Sequence, residues 1–522
     1  MARSVLARSR SSKGRRSKLH LHKPNGVIDR RVQAVGPERF GIVSVDCAKH
    51  RSRWMLCDFY GRVLLPPATV EHTQPGLRQA VEAVQHAVRE RGLGDVLVAV
   101  ERTGNYHRPV QRAFRDAGFE TRVVHPFASC QFRQIAHPGD KTDDHDLAGI
   151  HRATVVGFGL IELPLDETYL RLRLLVRHRR DLVRKAAAVQ CQIREHLQST
   201  LPGFATLFDN EKFWSSSVAL PLARRCASPN VIRDLRPAGI VQLLRDAGLR
   251  FQQRTIDKVA AWAEQAAPPE SDALVHQRIL CDLDDDRLTK KRLISALELD
   301  IAALLVRTPY VLLLAIPAIN VVSAAEFAGE AGPIAHYANP NAITGRAGLF
   351  PSRYQSDAVD VHGKLVRCAN RRLRAVLLMI GDNLLSVNHY FRGQAALWKQ
   401  RQVDRRLQRV RVAKRFTRLA YAMLAGRQIV PHPCCRDPHY ILDKLLTFHL
   451  AHAAAHAQIR DNLDAAAQQL PVAARTREAD ALQHSAAQFQ QARTRQLQPL
   501  GAILRELLAN RLGLIVQSRS EV

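Results

Sequence analysis

Lys141-Thr142-Asp143-Asp144-His145-Asp146 sets two carboxylates, Asp143 and Asp146, three residues apart behind a threonine suited to start a helix. On a helix these two share one face, while Asp144, about 100° further round, points elsewhere. Upstream, the apolar run Phe40-Gly41-Ile42-Val43-Ser44-Val45 ends in Asp46, and Val96-Leu97-Val98-Ala99-Val100 ends in Glu101. Short β-branched runs of this kind read as buried strands, so two strand ends and one helix face offer four acids. Converging carboxylates repel one another and are tolerated near neutral pH mainly when divalent cations neutralise them. Two-metal phosphoryl transfer uses such a cluster, one ion activating the attacking oxygen and the other stabilising the leaving one. Any one of these acids alone is an ordinary surface charge. The four together are a pattern.

Gly41-Ile42-Val43-Ser44-Val45-Asp46-Cys47-Ala48-Lys49-His50, then Glu101-Arg102-Thr103-Gly104-Asn105-Tyr106, then Lys141-Thr142-Asp143 with Asp146, resemble in order, type and spacing the three blocks of the DEDD transposases of the insertion-sequence 110 family, relatives of the Piv-type invertases. The resemblance implies a RuvC-like α/β domain of ribonuclease H fold in which Asp46, Glu101, Asp143 and Asp146 form the metal-binding tetrad, holding two Mg²⁺ ions. It assigns no catalytic role to Lys49, His50 or Tyr106.

A chain of 522 residues exceeds the size at which one hydrophobic core keeps growing, so two or more domains are expected. A formal charge of +29 draws polyanions, and nucleic acid is the natural partner ahead of an anionic membrane. Nine scattered cysteines, with no Cys-x-x-Cys pair, suggest neither a disulfide framework nor a zinc ribbon, and the chain reads as intracellular and reduced. The resemblance places it in the bacterial cytoplasm. The longest uncharged run, 308–325, holds Pro309, Pro317, Asn320 and Ser323, and reads as a buried helix, break and helix rather than a membrane span.

Five regions are expected. Residues 1–38 read as a disordered basic arm, with eleven Lys/Arg in the first 40 residues against Asp29 and Glu38; an organelle transit peptide has a similar composition. Residues 39–160 read as the RuvC-like domain: a three-strand meander, a helix near 77–91, the strand ending at Glu101, a helix over 109–117 and a strand over 121–124. Residues 161–308 read as a helical, coiled-coil region. Its helix over 170–196 carries Arg171, Arg173, Arg177, Arg179, Arg180, Arg184, Lys185 and Arg194, with an apolar stripe through Leu172, Leu175, Val176 and Val183, so that one side seals and the other meets phosphate. A second long helix over 282–305 pairs antiparallel with it. Residues 309–430 read as a mainly α-helical C-terminal transposase domain, and residues 431–522 as a helical extension whose stripe through Ile503, Leu504, Leu507, Leu508 and Leu512 needs a partner.

The 309–430 region opens at Ile316-Pro317-Ala318-Ile319-Asn320 in a form resembling the family's helix-hairpin-helix, which presents backbone amides to phosphate; Ala318 and Asn320 stand where the family has glycines. Gly348-Leu349-Phe350-Pro351-Ser352-Arg353-Tyr354-Gln355-Ser356 and Asn370-Arg371-Arg372-Leu373-Arg374 then correspond to the family stretch whose serine attacks DNA. That correspondence puts Ser356 at the nucleophile position, followed by Asp357 and Ala358 where the family has glycines, with Ser352 in reserve. A phosphoserine linkage conserves phosphodiester energy, so rejoining needs no ATP. Arg353, Arg367 and Arg371 are candidate phosphate clamps. Between 398 and 418 basic residues are dense, with Trp398 and Phe416 offered for stacking on nucleic acid. His432, Cys434, Cys435 and His439 could suggest zinc, but adjacent cysteines rarely both ligate one ion, and the site is disfavoured.

The reading is a site-specific DNA transposase or recombinase that cleaves and rejoins strands through Ser356. The resemblance further implies a homo-oligomer, dimer or tetramer, and a structured guide RNA, with no membrane partner. Two alternatives stand beside it: a RuvC-like junction nuclease that uses water and forms no covalent intermediate, and a non-catalytic nucleic-acid-binding relic.

Overall fold

Alternation along two neighbouring strands decides which side of the sheet each acid faces. The computed structural model describes residues 26–162, 165–356 and 359–471, and the chain divides between residues 164 and 165 into two compact units. In the first, β1 (Phe40–Cys47), β2 (Arg51–Asp58) and β3 (Val63–Glu71) form an antiparallel meander, β4 (Asp95–Glu101) and β5 (Glu120–Val124) run parallel to β1, and the two-residue β6 (Gly159–Leu160) lies antiparallel on the far edge. The order across this mixed sheet is β3-β2-β1-β4-β5-β6. It is surrounded by α1 (Asp29–Val35), α2 (Gln74–Glu90), α3 (His107–Asp116), α4 (Pro126–Ala136) and α5 (Asp143–Val155).

Side chains along a strand point alternately to the two faces. Val43, Val45, Cys47, Val96, Val98 and Val100 therefore pack with α2 and α3 through Val84 and Phe114. Phe40, Ile42, Leu97 and Ala99 pack on the other side with Val32 of α1, Ala128 of α4 and Ile150 of α5. Parallel strands covered on both faces need the continuous apolar runs that the sequence shows.

Residues 26–38 are not part of a disordered arm. Ile28 and Val32 are buried, the Gly26 amide bonds Gly157 O at 3.0 Å, and a Cβ at Gly26 would stand 2.0 Å from Gly159 O. Arg31 grips Asp95 with Nε and Nη2 at 2.7 and 2.6 Å and reaches Glu120 with Nη1 at 2.6 Å. A charge-rich stretch is thus fixed by carboxylates 64 and 89 residues away, a pairing invisible to local composition. Residues 1–25 lie outside the described residues.

The second unit is mostly helical. It opens with the long α6 (Glu167–Thr200), continues through α7 (Asn210–Ser215), α8 (Ala219–Ala223), α9 (Pro229–Asp246) and α10 (Gln253–Gln265), and returns along α11 (Ala273–Leu305). Leu172 and Val176 share a core with Ile301 and Leu305, while Val189 and Ile193 share another with Leu280, so the two long helices pack antiparallel as expected. The buried stripe runs through Leu172, Val176, Leu182, Val189, Ile193 and Leu197, whereas Val183 is exposed. A 3₁₀ segment over Pro309–Ala315 then leads to α12 (Val321–Ala331) and α13 (Pro340–Arg346). The hairpin of β7 (Pro351–Ser356) and β8 (Val359–Leu365) follows. The described chain ends with α14 (Arg371–Val387), α15 (His389–Gln400), α16 (Arg405–Gly426), α17 (His439–Ala451) and α18 (His456–Gln469). No helix among the described residues is long and apolar enough to cross a membrane.

If Arg31 anchors α1, Arg31→Ala should lower the unfolding free energy by about 1.5–3 kcal/mol, the usual worth of hydrogen bonds to charged groups. Denaturant unfolding of the two proteins measures it, and an unchanged midpoint would return residues 26–38 to the status of a loose arm.

Candidate active site

Asp46 shares the α4–α5 side of the sheet with Phe40 and Ile42, and Glu101 shares it with Leu97 and Ala99, by the same alternation. Because Val45 pairs with Val100 in parallel register, the next residues stand side by side at the carboxyl ends of β1 and β4. In open α/β sheets that is where crevices for ligands form. The two carboxyl groups come within hydrogen-bonding reach. Burial first, then this contact with Glu101 and the charges of Asp146 and Asp143, push the Asp46 carboxyl up to about 7. Asp46 therefore keeps its proton at pH values where an exposed aspartate has lost it.

Thr142 caps α5 as expected, its Oγ accepting from the His145 amide at 3.2 Å. Asp143, Asp144 and Asp146 occupy the first turn, where the helix dipole favours negative charge by about 0.3–1 kcal/mol each. Asp144 turns away to an ion pair with Arg53 of β2 at 3.0 Å. Asp143 is exposed, within electrostatic range of Asp46. Asp146 is more enclosed, and burial raises its pKa against the opposing charges of Arg133 and Lys141. Its Oδ1 lies 2.7 Å from Arg133 Nε; that N–H makes no aligned hydrogen bond, so the contact is one of charge.

Two residues touching these acids escaped the sequence reading. Ser129 of α4 donates its hydroxyl to Glu101 Oε1 at 2.5 Å, and Arg133, one turn later on the same helix, engages Asp146. The helix α4 can press this closely on α5 only because of Gly149, where a Cβ would stand 2.6 Å from Ser129 O and 3.1 Å from Arg133 Cβ. An i, i+4 pair of Ser and Arg just ahead of Lys141 was the available signal.

Carboxylate oxygens are the hard donors that Mg²⁺ takes, and the proton held by Asp46 is one a cation displaces on binding. The donor chemistry fits a divalent ion. The convergence is pairwise: among the described residues no three His, Cys, Asp or Glu side chains come together closely enough to hold a metal, and Asp146 is engaged by Arg133.

In the second unit, Ser356 ends β7 and pairs with Val359 across the hairpin. The hairpin side chains are almost all exposed. Ser356 Oγ has no hydrogen-bond partner among the described residues, whereas Ser352 Oγ donates to Lys364 O at 3.2 Å. Asp357 and Ala358 lie outside the described residues. Arg353 is bound to Asp360 through both nitrogens at 2.8 and 2.7 Å; Arg367 and Arg371 are exposed.

Three expectations require correction. Much of the arginine face of α6 is engaged within the protein rather than turned wholly outward: Arg177 makes a two-pronged bond to Glu330, Arg180 bonds Glu326, Arg179 bonds Glu298, and Arg173 donates to Gly329 O. Arg171 pairs with Glu167, and Arg184 and Lys185 pair with Asp181. Trp398 and Phe416 are not free to stack on bases, because Phe416 is fully buried against Phe327 and Trp398 is nearly so, under Arg411 and Arg415. The hairpin at 316–320 spends its amides internally, Ile319 N on Ile316 O and Asn320 N on Ser323 Oγ.

A raised native pKa means that Asp46 adds stability fully present below its unfolded pKa of about 3.9, and that this stability is lost as pH climbs through about 7. In metal-free protein, the melting temperature of Asp46→Asn relative to wild type should therefore rise between pH 5 and pH 8. A flat difference would contradict the proton on Asp46. Gly149→Ala should cost about 1–3 kcal/mol in denaturant unfolding, as overpacking against rigid backbone does; full stability in that variant would show that α4 can retreat freely.

Residues 43–202 match the DEDD transposase model of the IS110 family, and residues 310–395 match the model described as Transposase IS116/IS110/IS902 family. No curated protein matches the chain. The first match takes in Asp46, Glu101, Asp143 and Asp146, and the second takes in Ser356. With two family models matched in order along it, the chain is a member of the IS110 family and a DNA transposase.

Proposed function

We propose that this transposase cuts and rejoins DNA at specific sites by metal-dependent phosphoryl transfer, with Ser356 as nucleophile and Asp46, Glu101, Asp143 and Asp146 as ligands of Mg²⁺. The observation that carries the reading is the meeting of Asp46 and Glu101 at adjacent strand ends, with the acids of α5 within electrostatic range. The order and directions of β1 to β5 agree with a ribonuclease H-like domain over residues 39–160, followed by a helical region over 161–308 and a transposase domain over 309–430.

When bound, the ions would stabilise charge on the phosphate oxygens being exchanged. The protein's own groups do the rest. Asp46 gives up its proton to solvent as the ions bind, and Ser129 holds Glu101 by a hydrogen bond. Ser356 Oγ bonds to phosphorus as the bond to the leaving strand oxygen breaks, its proton passing to that oxygen. A strand-end hydroxyl reverses the step, which joins new ends without an external energy source. Ser356 suits this role better than Ser352 because its hydroxyl is not committed to a strand carbonyl. Arg371 and Arg372 stand in the first turn of α14, where the dipole disfavours cations; a DNA phosphate there would offset that cost. Arg367 and, once freed from Asp360, Arg353 would serve as further clamps. The charge of +29 suits a structured guide RNA as well as DNA, and the family resemblance extends the proposal to a homo-oligomer working in bacterial cytoplasm.

The exposed, unactivated state of Ser356 favours a second reading, in which water is the nucleophile. Recombination of a junction-bearing plasmid by wild type, Asp46→Ala and Ser356→Ala separates them, scored together with protein–DNA adducts trapped under denaturing conditions. Expected is a loss of at least roughly 10²-fold in recombination for both variants, with adducts only in wild type. Normal nicking by Ser356→Ala, with no adduct in wild type, would establish hydrolysis instead.

A further inference from the structure

We propose that Arg133 is the resident counter-ion of the acidic site: its guanidinium neutralises Asp146 in the metal-free protein and competes with divalent ions for that carboxylate. The inference rests on the metal-binding reading and assigns a positioning role to a residue that no motif marks.

Arg133 is 7% exposed, unusual for an arginine. Its guanidinium is held from several sides. Nε stands 2.7 Å from Asp146 Oδ1, Nη1 donates to Asp140 O at 2.7 Å, and Nη2 approaches Cys130 Sγ at 3.6 Å. One turn earlier on α4, Ser129 donates to Glu101, so a single helix face touches acids from both β4 and α5. The close approach at Gly149 leaves that face little room to withdraw.

The electrostatics give the sign. Asp46, Glu101, Asp143 and Asp146 repel one another, and a fixed positive charge against one of them lowers the energy of the empty site. The same charge repels an arriving dication and occupies the Oδ1 of one of its ligands. A merely structural ion pair would predict the reverse, since breaking it would misplace Asp146 and weaken metal binding. The two roles therefore differ in direction, and affinity decides between them.

The test is a Mn²⁺ titration of the full chain, following the free ion by electron paramagnetic resonance at pH 7.5 and constant salt. The proteins are wild type, Arg133→Gln, Arg133→Met, Arg133→Lys and Asp46→Asn. Removing the charge should tighten Mn²⁺ binding roughly three- to tenfold in both Arg133→Gln and Arg133→Met, as loss of one nearby like charge would, and Arg133→Lys should stay near wild type. In parallel, the metal-free melting temperature of Arg133→Gln should fall, and saturating Mn²⁺ should raise it by more than it raises wild type. Equal or weaker binding in the two neutral variants overturns the proposal. Arg133→Met keeps an apolar stem in the pocket and guards against loss of folding in Arg133→Gln. The Asp46→Asn arm tests the underlying reading: if it binds Mn²⁺ as wild type does, the site is not the tetrad, whatever Arg133 does. If neither wild type nor any Arg133 variant binds, both ideas fall.

Discussion

The first unit is organised around a repulsion. Period-two alternation and the parallel register of β1 with β4 oblige Asp46 and Glu101 to lie on the same face of adjacent strands, at a depth where water screens them poorly. No rearrangement of side chains alone can separate them, because the strands that carry them are buried on both faces. The surroundings answer in several ways. A proton stays on Asp46, Ser129 donates to Glu101, and Arg133 takes up Asp146. The acids of α5 sit in a first turn whose backbone dipole suits them. Each device lowers the cost of holding acids that a stable scaffold would otherwise avoid, and strain retained at a site is the usual mark of function.

The second unit places its charge differently from what composition suggests. An arginine-rich helix of 34 residues looks like a phosphate surface, yet its guanidiniums close on Glu326 and Glu330 of α12 and Glu298 of α11, all largely buried. Burying a carboxylate unpaired would be expensive, and the two-pronged geometry of Arg177 on Glu330 is what makes the arrangement tolerable. Much of the positive charge of α6 is therefore structural. Arg367, Arg371, Arg401, Arg405 and Arg406, by contrast, are exposed.

What the sequence discloses follows the range of the interaction. Strand alternation is local, so the meander, the strand ends at Asp46 and Glu101 and the Thr142 cap could be read residue by residue. The placement of Asp143 and Asp146 in one helical turn was equally legible, because it follows from their spacing alone. Ser129 and Arg133 were not, since their contacts depend on how α4 packs against α5 through Gly149. The partners of Arg177 and Arg179 lie 153 and 119 residues away, beyond any pattern in a helix taken alone. Trp398 and Phe416 were misjudged for a related reason. In a run this basic, an aromatic looks exposed, yet the apolar face of α16 is set by its packing under α12, where Phe416 meets Phe327.

The hairpin between the 3₁₀ segment and α12 shows how a recognisable motif can be turned inward. Ala318 adopts φ 82°, a left-handed conformation that costs an alanine what glycine would not incur. The surrounding bonds hold it there: Lys444 Nζ donates to the carbonyls of Leu314, Ile316 and Ile319 at 2.8, 3.0 and 2.9 Å, and Asn388 Nδ2 donates to Pro317 O. Burial pushes the Lys444 ammonium down to about 7, a measure of how far this cation has been taken from water. With Asn320 and Ser323 forming a reciprocal cap at the start of α12, the amides of Ile319 and Asn320 are also spent. A turn whose polar groups are satisfied from within anchors helices, and it has little left to offer a phosphate. The β7–β8 hairpin and the first turn of α14, which carry Ser356 and Arg371, by contrast keep exposed polar and basic groups.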